Sequence, residues 1–508
     1  MAPGISIESP ANPHRLSDKS DFGRRAYYTQ ISPKTKLLPH GAPPACAMIQ
    51  WPPARARPMT RKDDDKKNDK RFTATTPTRR FLKLAGMSTS IATRVAASSA
   101  KSLFLSAEQR EKERQKMLAK IGSEVAQTLG EMKGAVMKVG QIASQIKDLL
   151  PEEFARALEK LQKESPSMPF RVIRKQIIDE LGAPPYELFR EMDEEPFAAA
   201  SIGQVHRAVL LDGREVVVKV QYPGVEESIE SDLKHLRRIL KLAGLLKVDE
   251  KVIDEIFNEI KARLHDELNY EQEAENLRAF REFHAADADI VIPEVVTEFT
   301  RRRVLTLTRE TGDSLETVAT SPAYDQTLRN QIGRRIFDIF GKQIFVHQAV
   351  HCDPHPGNFA FRPDGSIVIY DFGAVKRLTP EDITAYRMLM TATYARNFAG
   401  IDAGLIALGV RKTDGPRPED SFYERWIEIL LPAFSHEPFD FGKSRMHFDV
   451  LKQARATPLR YLDSFQPSAR TMLVDRVISG HYWTLMKLGT VSAMRDLTEK
   501  YTGPDQAA

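Results

Sequence analysis

The stretch Val350-His-Cys-Asp-Pro-His-Pro-Gly-Asn358, followed by Asp371-Phe-Gly373, restricts this chain more than any other. Pro354, Pro356 and Gly357 stiffen the backbone between Asp353 and Asn358, so an acidic side chain and a carboxamide are held in one tight loop. Phe359-Ala-Phe361 and Ile367-Val-Ile-Tyr370 are apolar runs on either side of a Pro363-Asp364-Gly365 turn. A hairpin of that kind returns Asp371 to the side of Asn358. The product is a pocket with two oxygen ligands for a hard cation and a separate carboxylate, a setting suited to magnesium with phosphate oxygens.

In chemical terms, Asp353 orients or deprotonates a hydroxyl nucleophile, while Asn358 and Asp371 hold magnesium on a nucleotide. Protein kinases divide the work in this way between their catalytic loop and Asp-Phe-Gly strand. The plainer alternative is an Asp and an Asn stabilising a surface turn. Three turn-constrained polar residues converging across a hairpin favour the pocket.

With 508 residues the chain has room for two lobes or more. A hydrophobic share of 42% and a charged share of 28% are those of a globular protein. The net charge of +5 is small for this length and much of the basic excess lies near the N-terminus, so nucleic acid is not expected as a ligand. The two cysteines, Cys46 and Cys352, are far apart in sequence, which argues for a reducing compartment rather than a disulfide framework. Cys352 has no activating partner in the sequence and reads as a small buried packing residue. No run of eighteen or more apolar residues is present, so no membrane span is expected.

Residues 1–75 are rich in Pro, Arg, Lys and Asp, show no apolar period and are expected to be disordered. Glu8, Asp18 and Asp21 weaken an organellar-transit reading, but organellar targeting stays open. Thr78-Arg-Arg-Phe-Leu-Lys-Leu84 resembles a twin-arginine signal, yet the run behind it is interrupted by Arg94. An amphipathic helix that packs on the body or touches a membrane surface is the preferred reading. Ser106 to Leu150 is expected as one long helix, capped by Ser106 and ended by Pro151, with a stripe that includes Met117, Ile121 and Val125. Lys138 and Gln141 share a face slightly off that stripe; spacing alone makes them exposed polar residues on a packing helix. Periodic pieces with Pro and Gly breaks continue to about residue 190.

A small lobe rich in strands follows. Val205–Leu211 and Glu215–Gln221 flank an Asp212-Gly213 turn, and Lys219 stands in a β-branched run from which its ammonium must reach an anionic partner. The preceding loop, Ala198-Ala199-Ala200-Ser201, takes the place of a glycine-rich cover over phosphates, with Gly203 as its one glycine. Alanine disfavours positive φ, so a stiffer and more selective cover is expected. Asp249 to about Ala285 reads as one long helix carrying Glu267 and Glu273. Glu267 is the expected partner of Lys219, with Glu273 as outer support. Val291–Val296 and Arg303–Thr308 read as paired strands, Glu310–Asp313 as the link that offers backbone groups to adenine, and Gln331–Val350 as a helix. From Asp371 onward the chain reads as mainly helical, with Asp475–Leu488 a packing helix.

These pieces, taken together, resemble the UbiB-like atypical kinases, the ubiquinone-biosynthesis kinase-like (AarF-type) family. The resemblance rests on Lys138-Val-Gly-Gln141, Ala198-Ala-Ala-Ser201, Val218-Lys-Val-Gln-Tyr-Pro-Gly224, Glu267 through Glu273-Ala-Glu-Asn276, His351 to Asn358 and Asp371-Phe-Gly373, over roughly residues 106–380. It implies an α+β, two-lobed protein-kinase-like fold with an N-terminal helical extension. On that basis residues 76–190 are the extension with the Lys-x-Gly-Gln motif, 191–312 the smaller lobe and 313–508 the helical lobe. It also implies that Lys138 and Gln141 face the nucleotide pocket, where a protein substrate would otherwise dock. ATP and Mg2+ are the implied cofactors. The implied reaction is ATP hydrolysis or phosphoryl transfer to a small-molecule or lipid-like substrate, in support of quinone or isoprenoid-lipid metabolism. Two departures stand out. Cys352 occupies a position where the family often has Ala, and the C-terminal transmembrane hairpin of some bacterial members is missing. Any membrane contact is then expected to be peripheral; the expected location is the cytoplasm, with organellar targeting left open. Two rivals remain open: a nucleotide-dependent scaffold or chaperone of a membrane-associated biosynthetic complex, and a true protein kinase.

Overall fold

The computed structural model describes residues 86–132 and 167–503, apart from 88, 98–105, 201, 243–252, scattered positions between 255 and 266, and 463 and 467. Lys138, Gln141 and Ser201, the segment expected to be disordered and the twin-arginine-like motif lie outside the described residues.

Ser106 begins α1 (Ala107–Met132) as expected: its Oγ accepts from Gln109 N at 3.3 Å while Gln109 Oε1 accepts from Ser106 N at 3.1 Å. This reciprocal cap satisfies two donors that the first helical turn leaves open. Leu118 and Ile121 are buried on this helix, and Met87 and Ile91 from a helical segment over 86–97 join the same core. That segment thus packs on the body of the protein, one of the two roles its amphipathic pattern allows.

The helix α2 (Phe170–Leu181) leads to strands β1 (Phe189–Met192), β2 (Ala198–Ala200), β3 (Gly203–Leu210) and β4 (Glu215–Gln221). With β6 (Val304–Thr308) they form an antiparallel sheet in the order β1-β3-β4-β6, with β2 added on β3. Alternation sets the two faces of β4. Val216, Val218 and Val220 are fully buried on one face, each contributing about 2 kcal/mol by burial. Lys219 lies on the other face, opposite Val205 on β3 and Leu305 on β6. Ala198 pairs with Val205 and so stands in the same lateral row.

Three expectations are corrected. The long helix over 249–285 is broken at Leu268-Asn269. Asn269 takes an extended conformation and its side chain accepts from Glu271 N and Gln272 N, starting a new helix, α4 (Tyr270–Phe283), after α3 (Val225–Leu242). An Asn that satisfies two open amide donors favours this restart over continuation. Second, Val291–Val296 is not one strand beside Arg303–Thr308. β5 (Ile290–Val291) pairs in parallel with a strand of the larger lobe, and only a bridge at Val295 reaches Leu307. Pro293, without an N–H, suits the end of that short strand. Third, the helix read as Gln331–Val350 is α5 (Gln326–Phe345), capped by Asp325, and the chain turns through Gln348 at φ 51° into β7 (Ala349–His351). β-Branched Val350 between two buried neighbours packs as strand.

The larger lobe continues with β8 (Phe359–Phe361), β9 (Ile367–Ile369) and β10 (Val375–Arg377). It then runs through α6 (Pro380–Tyr394), α7 (Phe398–Ala407), α8 (Asp420–Leu430), α9 (Met446–Arg455), α10 (Met472–Leu488) and α11 (Arg495–Thr502). The β8–β9 hairpin forms with Ala360 opposite Val368, as the apolar runs predict.

A buried polar network ties the start of α2 to the sheet. Gln204 Oε1 accepts from Met168 N at 2.9 Å, and Gln204 Nε2 donates to His206 Nε2 at 3.0 Å. His206 Nδ1 lies 2.8 Å from Asp193 O, so it carries the proton and the ring is neutral. Burial lowers the His206 pKa from 6.5 to about 4. The stabilisation from a neutral ring is complete above about pH 6.5. It falls by about 1.4 kcal/mol per pH unit, at most, as the pH drops toward 4, because the unfolded chain then takes up a proton that the folded chain refuses. Urea denaturation at pH 7.5 and pH 5 should show this loss in the wild type and a smaller one in His206→Asn.

Candidate active site

The site is built where β4, α4, the 350–358 loop and the Asp371 segment meet. Lys219 Nζ donates to both oxygens of Glu273, at 2.8 and 2.9 Å, and to Asp371 Oδ2 at 3.1 Å. The carboxylate that grips Lys219 is therefore Glu273, and the expected assignment of Glu267 to that place is corrected. The reason is the helix restart. Asn269 turns the chain, so Tyr270, Glu273, Leu277 and Phe280 fall on the buried face of α4, while Glu267 lies before the break and is only half-buried. Glu267 remains close enough for its charge to push the Glu273 and Tyr270 pKa values upward.

One ammonium serves two carboxylates here. Burial would raise the Asp371 pKa, but Lys219 and the Gly373 N–H, which donates to Asp371 Oδ1 at 2.9 Å, hold it well below the usual carboxylate range. Burial, added to the Asp371 charge, outweighs Lys219 at Glu273 and raises its pKa to about 7. Lys219 is itself held cationic: burial disfavours its charge, and Asp371 and Glu273 more than restore it.

The helix α4 is also keyed to the Asp371 segment. Asn276 Nδ2 donates to Phe372 O at 2.9 Å, and the rings of Phe280 and Phe372 lie 4.6 Å apart. Sequence reasoning quoted Asn276 within a motif without giving it a task. A buried carboxamide one helical turn from Glu273 was the available signal. Gly373 leaves no slack, since a Cβ there would stand 3.2 Å from Asp371 Oδ1.

The 350–358 loop is tied at both ends. Cys352 N donates to Ala374 O at 2.8 Å, and β7 pairs with β10. Cys352 is buried, as its sequence context suggested. Tyr370 N donates to Asn358 O at 3.0 Å, which sets Asp371 next to Asn358 in the strand-to-loop register. Asn358 Nδ2 donates to Asp353 Oδ2 at 3.0 Å and to Asp353 O at 3.2 Å. On the other side, Arg476 of α10 donates to Asp353 Oδ1 at 2.9 Å. Nothing in the local sequence around Asp353 announces Arg476.

The link Glu310–Asp313 is strapped to the β8–β9 hairpin. Arg362 Nε donates to Thr311 O at 2.9 Å and Arg362 Nη2 to Glu310 Oε2 at 2.8 Å. Tyr370 OH donates to Glu310 O at 3.3 Å, and Asp313 exchanges backbone bonds with Phe361. Ala198 and Ala200 lie in the β2–β3 hairpin, whose Gly203 admits no side chain because a Cβ would meet Val220 O at 2.3 Å. Ala199 pairs with Gln204 in the same hairpin.

The donor set suits a magnesium nucleotide: an ionised carboxylate at Asp371, a carboxamide at Asn358 and a largely buried cation at Lys219. Residues 160–404 match the model of the ABC1 atypical kinase-like domain. An uncharacterized protein of Synechocystis, slr0889, is 33% identical over 341 residues, covering 64% of this chain and 81% of that protein. The chain belongs to the ABC1 (UbiB) family of atypical kinases. The mitochondrial atypical kinase coq-8 of Caenorhabditis elegans is 31% identical over 376 residues, which is 72% of this chain and 49% of that one. Mitochondrial COQ8 of Saccharomyces cerevisiae is 33% identical over 287 residues, 56% of each chain. The chain thus spans about half of the length of these curated relatives. Among solved structures, the Rv3197–erythromycin complex of Mycobacterium tuberculosis superimposes with a TM-score of 0.56 at 26% identity, covering 78% of this chain and 100% of that chain. The family and this neighbour agree with the α+β kinase-like fold expected from the motifs. Among the described residues no helix is long and apolar enough to cross a membrane.

Removing Glu273 leaves Lys219 with Asp371 as its remaining carboxylate partner. Glu273→Ala is expected to cost about 3 kcal/mol of stability. Urea denaturation of the wild type and Glu273→Ala at neutral pH measures the loss.

Proposed function

We propose that this member of the family binds ATP with Mg2+ and either hydrolyses it or transfers its terminal phosphoryl group to a small-molecule or lipid-like acceptor, in support of ubiquinone or isoprenoid-lipid metabolism. The observation that carries the reading is the Lys219–Glu273–Asp371 triad, with its buried cation shared between a helix carboxylate and the Asp-Phe-Gly carboxylate. Phosphate recognition and metal holding are the chemistry such a pair performs in kinase-like folds.

In this reading Lys219 holds the α- and β-phosphates and Glu273 keeps its ammonium aimed. The segment of Ala198, Ala199, Ala200 and Ser201 covers the phosphates, and the backbone of Glu310–Asp313 faces the base. Lys138 and Gln141 bring the helical extension against the pocket. Asn358 and Asp371 are the magnesium ligands; magnesium, when bound, neutralises charge on the phosphate oxygens. Asp353 accepts the proton of the attacking hydroxyl or water as the new P–O bond forms and the bond to ADP breaks. The division at residues 190 and 312 into extension, small lobe and large lobe belongs to the same proposal. The pathway reading rests on membership of the UbiB family. The names of the relatives place the nematode and yeast proteins in mitochondria, and for this chain we infer a cytoplasmic or organellar protein with peripheral membrane contact.

Purified Asp353→Asn should bind Mg–ATP within about threefold of wild type by calorimetry while losing at least about 100-fold in turnover. Asp371→Asn should weaken nucleotide binding only when magnesium is present. Unchanged hydrolysis in Asp353→Asn sinks its assignment, and a wild-type protein that ignores ATP with divalent metal sinks the whole reading.

A further inference from the structure

The helix α10 is a core helix in most respects, with Val474, Val477, Leu485 and Leu488 buried. Two residues one turn apart interrupt that pattern on a shared face, Arg476 and Gly480. Both look toward the 350–358 loop. Gly480 lies flat against Pro354, where a Cβ would stand 2.3 Å from Pro354 Cγ and 2.5 Å from Pro354 Cβ. Arg476 Nη2 reaches the neighbouring residue and donates to Asp353 Oδ1 at 2.9 Å; its side chain keeps 31% of its surface exposed.

The effect on Asp353 is specific. Its Oδ2 accepts from Asn358 and its Oδ1 from Arg476, so each carboxylate oxygen has a donor on a different element. Asn358 sits in the same loop and moves with it. Arg476 comes from a separate helix packed in the core, so it gives the carboxylate a reference outside its own loop. A planar guanidinium on a carboxylate is among the more directional charge-assisted contacts available to a side chain. The glycine one turn on is what lets the helix come close enough for this contact.

We infer that Arg476 is the positioning residue for Asp353: it sets the plane of the carboxylate that receives the acceptor's proton, through a helix that lies far along the chain from the loop it steers. The inference rests on the role proposed above for Asp353, and it makes α10 a part of the active site. Each oxygen keeps a second lone pair, so proton acceptance is preserved while rotation is stopped.

The test is steady-state ATP turnover, Mg–ATP calorimetry and thermal melting of the full-length protein and its Arg476→Gln, Arg476→Lys and Asp353→Asn variants. Arg476→Gln is expected to lower kcat about 10- to 100-fold with KM and Kd for Mg–ATP within about threefold of wild type. Arg476→Lys, which keeps the charge but not the fork, should recover part of the lost kcat. Should Arg476→Gln not fold, Arg476→Met keeps the aliphatic stem and replaces it. The inference is overturned if Arg476→Gln turns over like wild type while Asp353→Asn is inactive. It is equally overturned if the loss of kcat comes with matching losses of melting temperature and nucleotide affinity and Arg476→Lys recovers none, the pattern of a purely structural contact. If Asp353→Asn itself turns over normally, the reading of Asp353 has failed first and this inference falls with it.

Discussion

A single largely buried ammonium shared by two carboxylates holds the centre of this protein. Lys219 comes from the small sheet, Glu273 from the helix behind it and Asp371 from the larger lobe. Partial desolvation makes each charge costly alone, so each of the three is steadied by the others. The cation is outnumbered, and the consequence is unequal: Asp371 stays ionised, while the Glu273 pKa rises to about 7. An anion held ready beside a carboxamide oxygen is a suitable seat for a hard cation. A lysine held charged is a suitable seat for phosphates.

Around this point side-chain contacts join the two lobes. Asn276 and Phe280 register α4 on Phe372, and Arg362 and Tyr370 strap the link between lobes to the β8–β9 hairpin. The carbonyl groups of Glu310 and Thr311 are engaged by side chains of the larger lobe. The β2–β3 hairpin carries Ala198, Ala199 and Ala200 on β2, and alanine disfavours the positive-φ conformations open to glycine.

The parts read correctly from sequence were those governed by short-range rules. The β3–β4 hairpin follows from β-branched runs around Asp212-Gly213, and the β8–β9 hairpin from Pro363-Asp364-Gly365. The Ser106 cap follows from a hydroxyl placed at the start of an apolar period. Two errors fell at element ends. The helix over 249–285 was read as continuous although its leucine stripe jumps from Leu268 to Leu277, and Asn269, whose side chain caps a new helix, stands in that gap. The end of α5 was overrun because no Gly or Pro marks the turn at His347-Gln348, and Gln348 takes the positive φ there itself.

Sequence order and residue type were enough to name the family and its kinase-like fold: a lysine in a strand, a constrained Asp and Asn in a loop, and an Asp-Phe-Gly beyond a hairpin fall in the family's order. They were enough because turn geometry and strand alternation act over a few residues. Which glutamate meets Lys219, what Asn276 holds and why Arg476 matters were decided only in three dimensions. Lys219 and Glu273 are 54 positions apart, and Asp353 and Arg476 are 123 apart. Contacts across such distances depend on where a helix breaks and how two packed elements rotate against each other, quantities that no local pattern encodes.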